Sequence, residues 1–319
     1  MNEFELIRHF FARGVRATPD VALGIGDDCA LLQPPAGEQL AITADTLVAG
    51  RHFPVDTAPE AIAWKALAVN LSDLAAMGAQ PLWFLLALTL PSFDSDWLAA
   101  FATELQRLAQ RYGIALVGGD TTRGPLSLTI TAVGSVSPAL ALRRDRAQIG
   151  DLIAVTGTLG DAALGLHLRG ARAGNGFDAL IERLERPTPR VAEGLTLRGL
   201  ANAAIDLSDG LAGDLQHILT ASGVGAEVDA DALPMSEAFR RLHAPARRLS
   251  LQAVGGDDYE LCVTIPPAHY QQAAAQVPLT VIGRVVATPG LHWHRDGQVV
   301  PGPQHGYRHF DGSETPDAR

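Results

Sequence analysis

The sequence predicts an α/β protein in two domains, and three observations lead there. At 319 residues, the chain is about twice the length of a common domain. Apolar runs of strand length alternate along it with segments whose apolar residues recur at helical spacing. Hydrophobic residues make up 47 % of the chain and charged residues 19 %, which excludes disorder and allows a large buried core.

Taken in order, Phe4, Ile7 and Phe11 recur at helical spacing and predict an opening amphipathic helix. Residues 40–43 read as a short strand ending at Asp45. A helix start follows, with Thr57 as N-cap, Pro59 in the first turn and Glu60 three residues after the threonine. This helix runs to Met77 and stops at Gly78. Ile62, Trp64, Leu67, Val69, Leu71 and Leu74 make it apolar on most sides, so burial is expected. Residues 82–90 form a strand ended by Pro91. Residues 96–112 form a helix with Trp97, Phe101, Leu105 and Leu108 on one face. Strands are expected at 114–117 and 126–136; in the latter Leu126, Leu128, Ile130 and Ala132 alternate with polar or small residues.

A charged stretch, residues 143–150, suggests a domain boundary. Beyond it come a strand at 151–156, a helix at 157–169, a loop at 171–176 and a helix introduced by Pro187-Thr-Pro189. Strand-like pieces recur at 203–207, 226–228, 259–264 and 279–286, with helical stretches between several of them. Residues 291–300 contain Asp296-Gly297, a two-residue hairpin signal.

The charge balance excludes some functions. Lys and Arg number 25 against 35 Asp and Glu, a net charge of −10 that argues against nucleic acid or an anionic membrane as partner. Lys65 is the only lysine. Cys29 and Cys262 are too few for a zinc tetrad and give no disulfide framework. The first residues lack a signal-peptide pattern, and the most apolar stretch, residues 81–90, is too short to span a bilayer. A cytoplasmic protein is expected.

The chemistry is carried by aspartates in small Gly, Ser and Thr contexts: Gly26-Asp27-Asp28, Thr43-Ala44-Asp45, Ser72-Asp73, Gly118-Gly119-Asp120, Asp206-Leu207-Ser208-Asp209-Gly210 and Gly255-Gly256-Asp257-Asp258. Each alone has a structural reading as a turn or cap; Asp209, for example, suits the N-terminus of a helix beginning at Leu211. Six together, mostly after strand-like runs, suggest a shared cleft at strand ends. Two unit charges 4 Å apart repel by about 4 kcal/mol at an effective dielectric near 20. Several such pairs would exceed a typical stability of roughly 5–15 kcal/mol. The aspartates are therefore either dispersed or neutralised by hard cations such as Mg²⁺, Mn²⁺ or Ca²⁺. Mg²⁺ commonly joins carboxylates to substrate phosphates, so the cleft suggests a polyphosphate ligand. No P-loop is present. His294-Arg295-Asp296 matches part of a protein-kinase catalytic loop but lacks its other elements. No Ser-His-Asp or Cys-His arrangement stands out.

Gly24-Ile-Gly-Asp-Asp-Cys-Ala30, the stretch from Thr43 to Phe53, the stretch from Lys65 to Gly78, Gly118-Gly-Asp-Thr-Thr-Arg123, Ile205-Asp-Leu-Ser-Asp-Gly-Leu211 and Gly255-Gly-Asp-Asp-Tyr-Glu-Leu261 resemble, in order, the motifs of the thiamine-monophosphate kinases. The wider superfamily includes aminoimidazole ribonucleotide synthetase, selenophosphate synthetase and a hydrogenase-maturation protein. The resemblance implies an α+β arrangement: an N-terminal mixed-sheet domain, residues 1–146, that pairs in a homodimer, and a C-terminal α/β sandwich domain, residues 147–319. It implies direct in-line transfer of the ATP γ-phosphoryl group to thiamine monophosphate, with several Mg²⁺ ions per site. By position, Asp28, Thr43, Ala44, Asp45, Asp73, Asp120, Asp206 and Asp209 match metal positions, Ala44 through its carbonyl alone. Gly119, Asp120, Arg144 and Ser208 match ATP positions, with Gly119 expected to let the backbone approach the nucleotide. His52, Asp257 and Tyr307 match positions near thiamine monophosphate. Asp257 stands where many relatives carry glutamate, and Ala44 where many carry a hydroxyl. Asp27 and Asp258 each adjoin a stronger candidate and read either as supports behind a ligand or as turn residues. Selenophosphate synthetase would carry a reactive Cys and a Lys near the N-terminus, and neither precedes Cys29. The purine-pathway synthetase fits the Asp206 and Asp257 motifs less well, and a non-catalytic nucleotide or metal sensor is the alternative of another class.

Overall fold

The computed structural model describes residues 3–12, 18–169, 177–243 and 245–307. The strands, in chain order, are β1 (Val21–Leu23), β2 (Leu31–Leu32), β3 (Gln39–Val48), β4 (Gln80–Leu90), β5 (Ala115–Arg123), β6 (Ser127–Val136), β7 (Leu152–Thr156), β8 (Ala203–Asp206), β9 (Gly225–Asp229), β10 (Leu261–Ile265), β11 (Leu279–Val286), β12 (Gly290–Arg295) and β13 (Gln298–Val300). They form a small β1-β2 ribbon, a four-stranded sheet in the order β3-β6-β4-β5 and a seven-stranded sheet in the order β13-β12-β9-β11-β7-β10-β8. Both larger sheets are mixed: β4 pairs parallel to β5, and β9 parallel to β12, with the other pairs antiparallel.

The N-terminal sheet has two unlike faces because its strands alternate. Leu128, Ile130 and Ala132 of β6 and Phe84, Leu86 and Leu88 of β4 are buried beneath the helices Pro59–Ala76 and Ser95–Tyr112. Ile42 of β3 and Leu85 of β4 lie on the opposite face, 65 % and 41 % exposed. The helix Ser95–Tyr112 starts where Asp94 accepts the N–H groups of Asp96 and Trp97, both at 3.0 Å, and buries Leu98, Phe101, Leu105 and Leu108.

Helix Pro59–Ala76 is buried along nearly its whole length, as its all-round apolar sequence predicts. One of its sides meets β3 and the other the C-terminal sheet. One face of that sheet (Ala154, Ala204, Leu261, Val263, Ile265) joins the N-terminal core. The other (Ile153, Val155, Ile205, Cys262) packs on Leu211, Leu215, Ile218 and Leu219 of the helix Leu211–Ser222. The hydrophobic core thus runs through both halves of the chain. The β12-β13 hairpin turns at Asp296-Gly297, both at positive φ, as expected.

Several expectations are corrected. Residues 40–45 belong to a longer strand that continues to Val48, because β3 pairs with β6 over ten residues without a shift. The long helix has Ala58 at its N-cap, with Pro59 at N1, and no side chain caps it. Among the described residues, the buried Thr57 hydroxyl has no hydrogen-bond partner. β5 continues beyond residue 117, so Gly118-Gly119-Asp120 lie within a strand. The opening helix changes to a π-helix at Ile7–Phe11, which buries Phe10 and Phe11 beside Leu6 of the preceding turn. The loop expected at 171–176 lies outside the described residues, as does the end of the chain from 308.

Candidate active site

The aspartates approach one another where helix Pro59–Ala76 passes between β3 and the end of β8. Alternation along β3 turns Thr43 and Asp45 to the side of buried Leu47 and Ala44 to the exposed face. On the helix, Asn70 and Asp73 are three residues apart and share a side, while Ser72 lies on the neighbouring face below Lys65. The Thr43 hydroxyl donates to Asp73 Oδ2, and the Asp45 N–H donates to Asn70 Oδ1 at 3.2 Å. The Ser72 hydroxyl donates to Oδ2 of Asp206, the last residue of β8, at 2.8 Å.

Crowding shifts these carboxyls upward. Burial, then the charges of Asp73 and Asp209, raises Asp45 to about 6. Burial and then Asp73 raise Asp206 to about 7, against the Ser72 hydrogen bond and the Arg144 guanidinium. Burial also raises Asp73, although the Thr43 hydroxyl and Arg144 oppose it. Asp214, in the first turns of the following helix, is pushed to about 8 by burial and by Asp206 and Asp209. Arg144, on the 3₁₀ turn Arg144–Arg146, is thus the cation felt by three of the four carboxyls. Its carbonyl accepts the Ser222 hydroxyl at 2.8 Å.

Two loops lie side by side next to the cluster. The Asp257 N–H donates to the Ser208 carbonyl at 2.9 Å and the Tyr259 N–H to the Leu207 carbonyl at 2.8 Å. The Tyr307 N–H donates to the Asp209 carbonyl at 2.9 Å, and the Arg51 guanidinium stands 5.7 Å from the Tyr307 ring centre. His52 Nδ1 accepts the Val48 N–H at 3.0 Å, and the His52 carbonyl accepts Lys65 Nζ at 3.3 Å. The same ammonium forms an ion pair with Asp257 Oδ1 at 3.0 Å. His52, Asp257, Tyr307, Ser208 and Asp209 are therefore joined through direct contacts.

Asp28 and Asp120 are exposed, and among the described residues no hydrogen bond or ion pair ties either to the cluster. The Asp28 N–H is held by Asp27 Oδ1 at 2.8 Å, so Asp27 serves its own turn. Gly119, at φ +146°, has a structural requirement of its own. A Cβ there would lie 1.8 Å from the Leu86 carbonyl oxygen, so its close approach is to β4. Nor does Asp209 cap the next helix, whose N-cap is Gly210; its N–H instead donates to Asp214 Oδ2 at 3.0 Å. Asp258 is buried, with Oδ2 accepting the Gly160 N–H at 2.7 Å, and burial pushes its carboxyl well above the usual range.

Sequence reasoning passed over Asn70, Ser72, Lys65 and Asp214. The first three lie within the matched Lys65–Gly78 stretch, where helical spacing was the available signal. Asp214 has no comparable signal. Glu260 was also passed over: it is fully buried, receives Arg190 at 2.6 and 2.7 Å, Arg183 at 2.7 Å and the Thr156 hydroxyl at 2.7 Å, and thereby anchors the end of the Asp257 loop.

The donors fit a hard divalent cation: carboxylates and a hydroxyl, held together at an electrostatic cost that positive charge would relieve. Among the described residues no three His, Cys, Asp or Glu side chains converge on one point.

Comparison with known proteins places this arrangement. Residues 26–136 match the family described as AIR synthase related protein, N-terminal domain, and residues 148–294 match its C-terminal domain. A thiamine-monophosphate kinase of Salmonella typhimurium is 51 % identical over 97 % of this chain and 98 % of its own. That of Haemophilus influenzae is 46 % identical over 94 % and 95 %. The crystal structure of thiamine-monophosphate kinase from Stenotrophomonas maltophilia superposes with a TM-score of 0.83 at 51 % identity, covering 93 % of this chain and 96 % of that one. AaThiL complexed with AMPPCP and TMP superposes with a TM-score of 0.76 at 32 % identity, covering 84 % and 87 %. The chain belongs to the thiamine-monophosphate kinase family.

Proposed function

We propose that this protein transfers the γ-phosphoryl group of ATP to thiamine monophosphate, giving thiamine diphosphate and ADP. The observation that carries the reading is the seating of Asp45, Asp73 and Asp206 around one helix, beside loops that join Ser208 to Asp257 and Asp209 to Tyr307. A relative of the same fold is complexed with AMPPCP and TMP, an ATP analogue and the acceptor.

The acceptor is a phosphate monoester with a second pKa of about 6, so it is largely dianionic at neutral pH and attacks without a general base. The task left to the protein is to hold two anionic phosphates in line. Asp28, Thr43, the Ala44 carbonyl, Asp45, Asp73, Asp120, Asp206 and Asp209 would hold Mg²⁺, several ions per site. Bound there, the cations offset phosphate repulsion and the charge of the transition state. Gly119, Asp120, Arg144 and Ser208 take the nucleotide, Arg144 through its guanidinium. His52, Asp257 and Tyr307 take thiamine monophosphate: the ring of Tyr307 offers a stacking face and Asp257 a negative charge for the cationic thiazolium.

The protein acts as a homodimer in the cytoplasm, with the domain division at 146/147. The exposed face bearing Leu40, Ile42 and Leu85 supports pairing through the N-terminal sheet. Among the described residues, no helix is long and apolar enough to cross a membrane. A coupled ADP assay with Mg-ATP tests the function. Thiamine diphosphate should form one-for-one with ADP, only when thiamine monophosphate is added. Turnover with formylglycinamidine ribonucleotide would move the protein to the purine branch, and tight Mg-ATP binding without turnover would make it a sensor.

A further inference from the structure

We propose that Lys65 is a positioning residue of the acceptor site, its ammonium group fixing the Asp257 carboxylate against the His52 loop so that both domains present one preformed pocket to thiamine monophosphate. This rests on the kinase reading above.

The chain has 25 basic residues and Lys65 is its only lysine. It is 4 % exposed, in the middle of the most thoroughly apolar helix of the molecule. Burying an ammonium there is costly, and apolar replacement of buried ion pairs is frequently neutral or stabilising, so stability does not account for its presence. Its two contacts do. Nζ lies 3.0 Å from Asp257 Oδ1 in the C-terminal half and 3.3 Å from the His52 carbonyl in the N-terminal half. An ammonium is a compact cation that can serve two acceptors in different directions, where a planar guanidinium fork favours one.

Asp257 needs such a hold. It sits at φ +69° and Tyr259 at φ +50°, both in the left-handed region that side-chain-bearing residues avoid. The loop is pressed onto its neighbour so closely that a Cβ at Gly256 would lie 2.5 Å from the Ser208 carbonyl oxygen. The buried Tyr259 side chain lies close to the same Asp257 carboxyl. Held by Lys65, the Asp257 side chain still keeps 31 % of its surface open. Lys65 shares a helix face with Ser72, two turns or about 10 Å further along, where Ser72 holds Asp206. One rigid helix thus fixes the spacing between the acceptor end and the carboxylate end of the site.

The test uses the full-length protein and its Lys65→Met, Lys65→Arg, Asp257→Asn and Lys65→Met/Asp257→Asn variants. Lys65→Met should raise KM for thiamine monophosphate roughly ten- to hundredfold, the weight of a charged hydrogen bond, and leave KM for ATP unchanged. Calorimetric titration with thiamine monophosphate alone should show the same loss. Lys65→Arg should recover part of it, and the double variant should be no worse than either single one. Equal changes for both substrates, or a lowered melting temperature with both KM values intact, would overturn the proposal. If Lys65→Met does not fold, Lys65→Arg and Asp257→Asn decide: without a selective change in thiamine-monophosphate KM in either, the proposal falls. If the unsubstituted protein makes no thiamine diphosphate, the kinase reading fails, and the titrations still show whether Lys65 governs binding of the monophosphate.

Discussion

Asp45 concentrates the physics of the site in one side chain. It is held near a pKa of 6 by burial and by two neighbouring carboxylates, so at neutral pH it carries a charge its surroundings resist. Asp45→Asn should lower turnover on the order of a hundredfold or more, since metal-borne stabilisation is worth several kcal/mol. The same change should leave the melting temperature of the metal-free protein at pH 8 equal or higher, because one repelling charge is gone. Steady-state kinetics and thermal unfolding of the same preparation check both. Asp45 and Asp73 were legible in the sequence because a carboxylate beside small polar residues is a local signal. The Lys65–Asp257 pair was not, because its partners come from different domains and only tertiary packing makes them neighbours. Asp214 carries no local signal; its contact with the Asp209 N–H depends on how the chain turns at Gly210.

At the scale of elements, hydrophobic spacing found the two long N-terminal helices and most of the strands of both sheets. It misjudged ends, where pairing and caps decide. β3 runs on past Asp45 because β6 supplies partners to Val48, and propensity alone contains no such partner. Thr57 reads as a cap, yet the chain enters the helix one residue later, through Pro59 at N1. Gly119 was legible as a special position, and the neighbouring strand supplies a structural reason that the sequence alone does not show. Gly119→Ala should therefore destabilise the protein by about 2–4 kcal/mol, the scale of an overpacked or strained backbone site. Urea unfolding measures this without reference to ATP, and an unchanged midpoint would return the glycine to a purely ligand-facing role.

Across the whole molecule, the acidic cluster couples stability to pH. Asp45 at about 6, Asp206 at about 7 and Asp214 at about 8 all lie above the ordinary 3.8. Between that value and those, the folded state binds more protons than the unfolded one, so stability falls as pH rises. The melting temperature of metal-free protein should drop from pH 5 to pH 8, and Mg²⁺ should recover it at pH 8 but little at pH 5. Calorimetry with a chelator and then with Mg²⁺ checks the sign. The exposed sheet face leads to another expectation. On the proposed pairing through this sheet, Ile42→Asp, at a position 65 % exposed in the single chain, should shift sedimentation from dimer to monomer without lowering the monomer's helix content.

The helix that separates the two halves also removes their independence. Its residues Trp64, Lys65 and Ser72 bond to Pro187, Asp257 and Asp206 of the C-terminal half, and the same helix packs against β3 and the helix Ser95–Tyr112 of the N-terminal half. Neither half can melt without stripping that helix of one wall, so local opening is tied to global unfolding. Heating should give one calorimetric transition, with its calorimetric and van't Hoff enthalpies equal. A fragment cut at residue 146 should expose an apolar flank and aggregate.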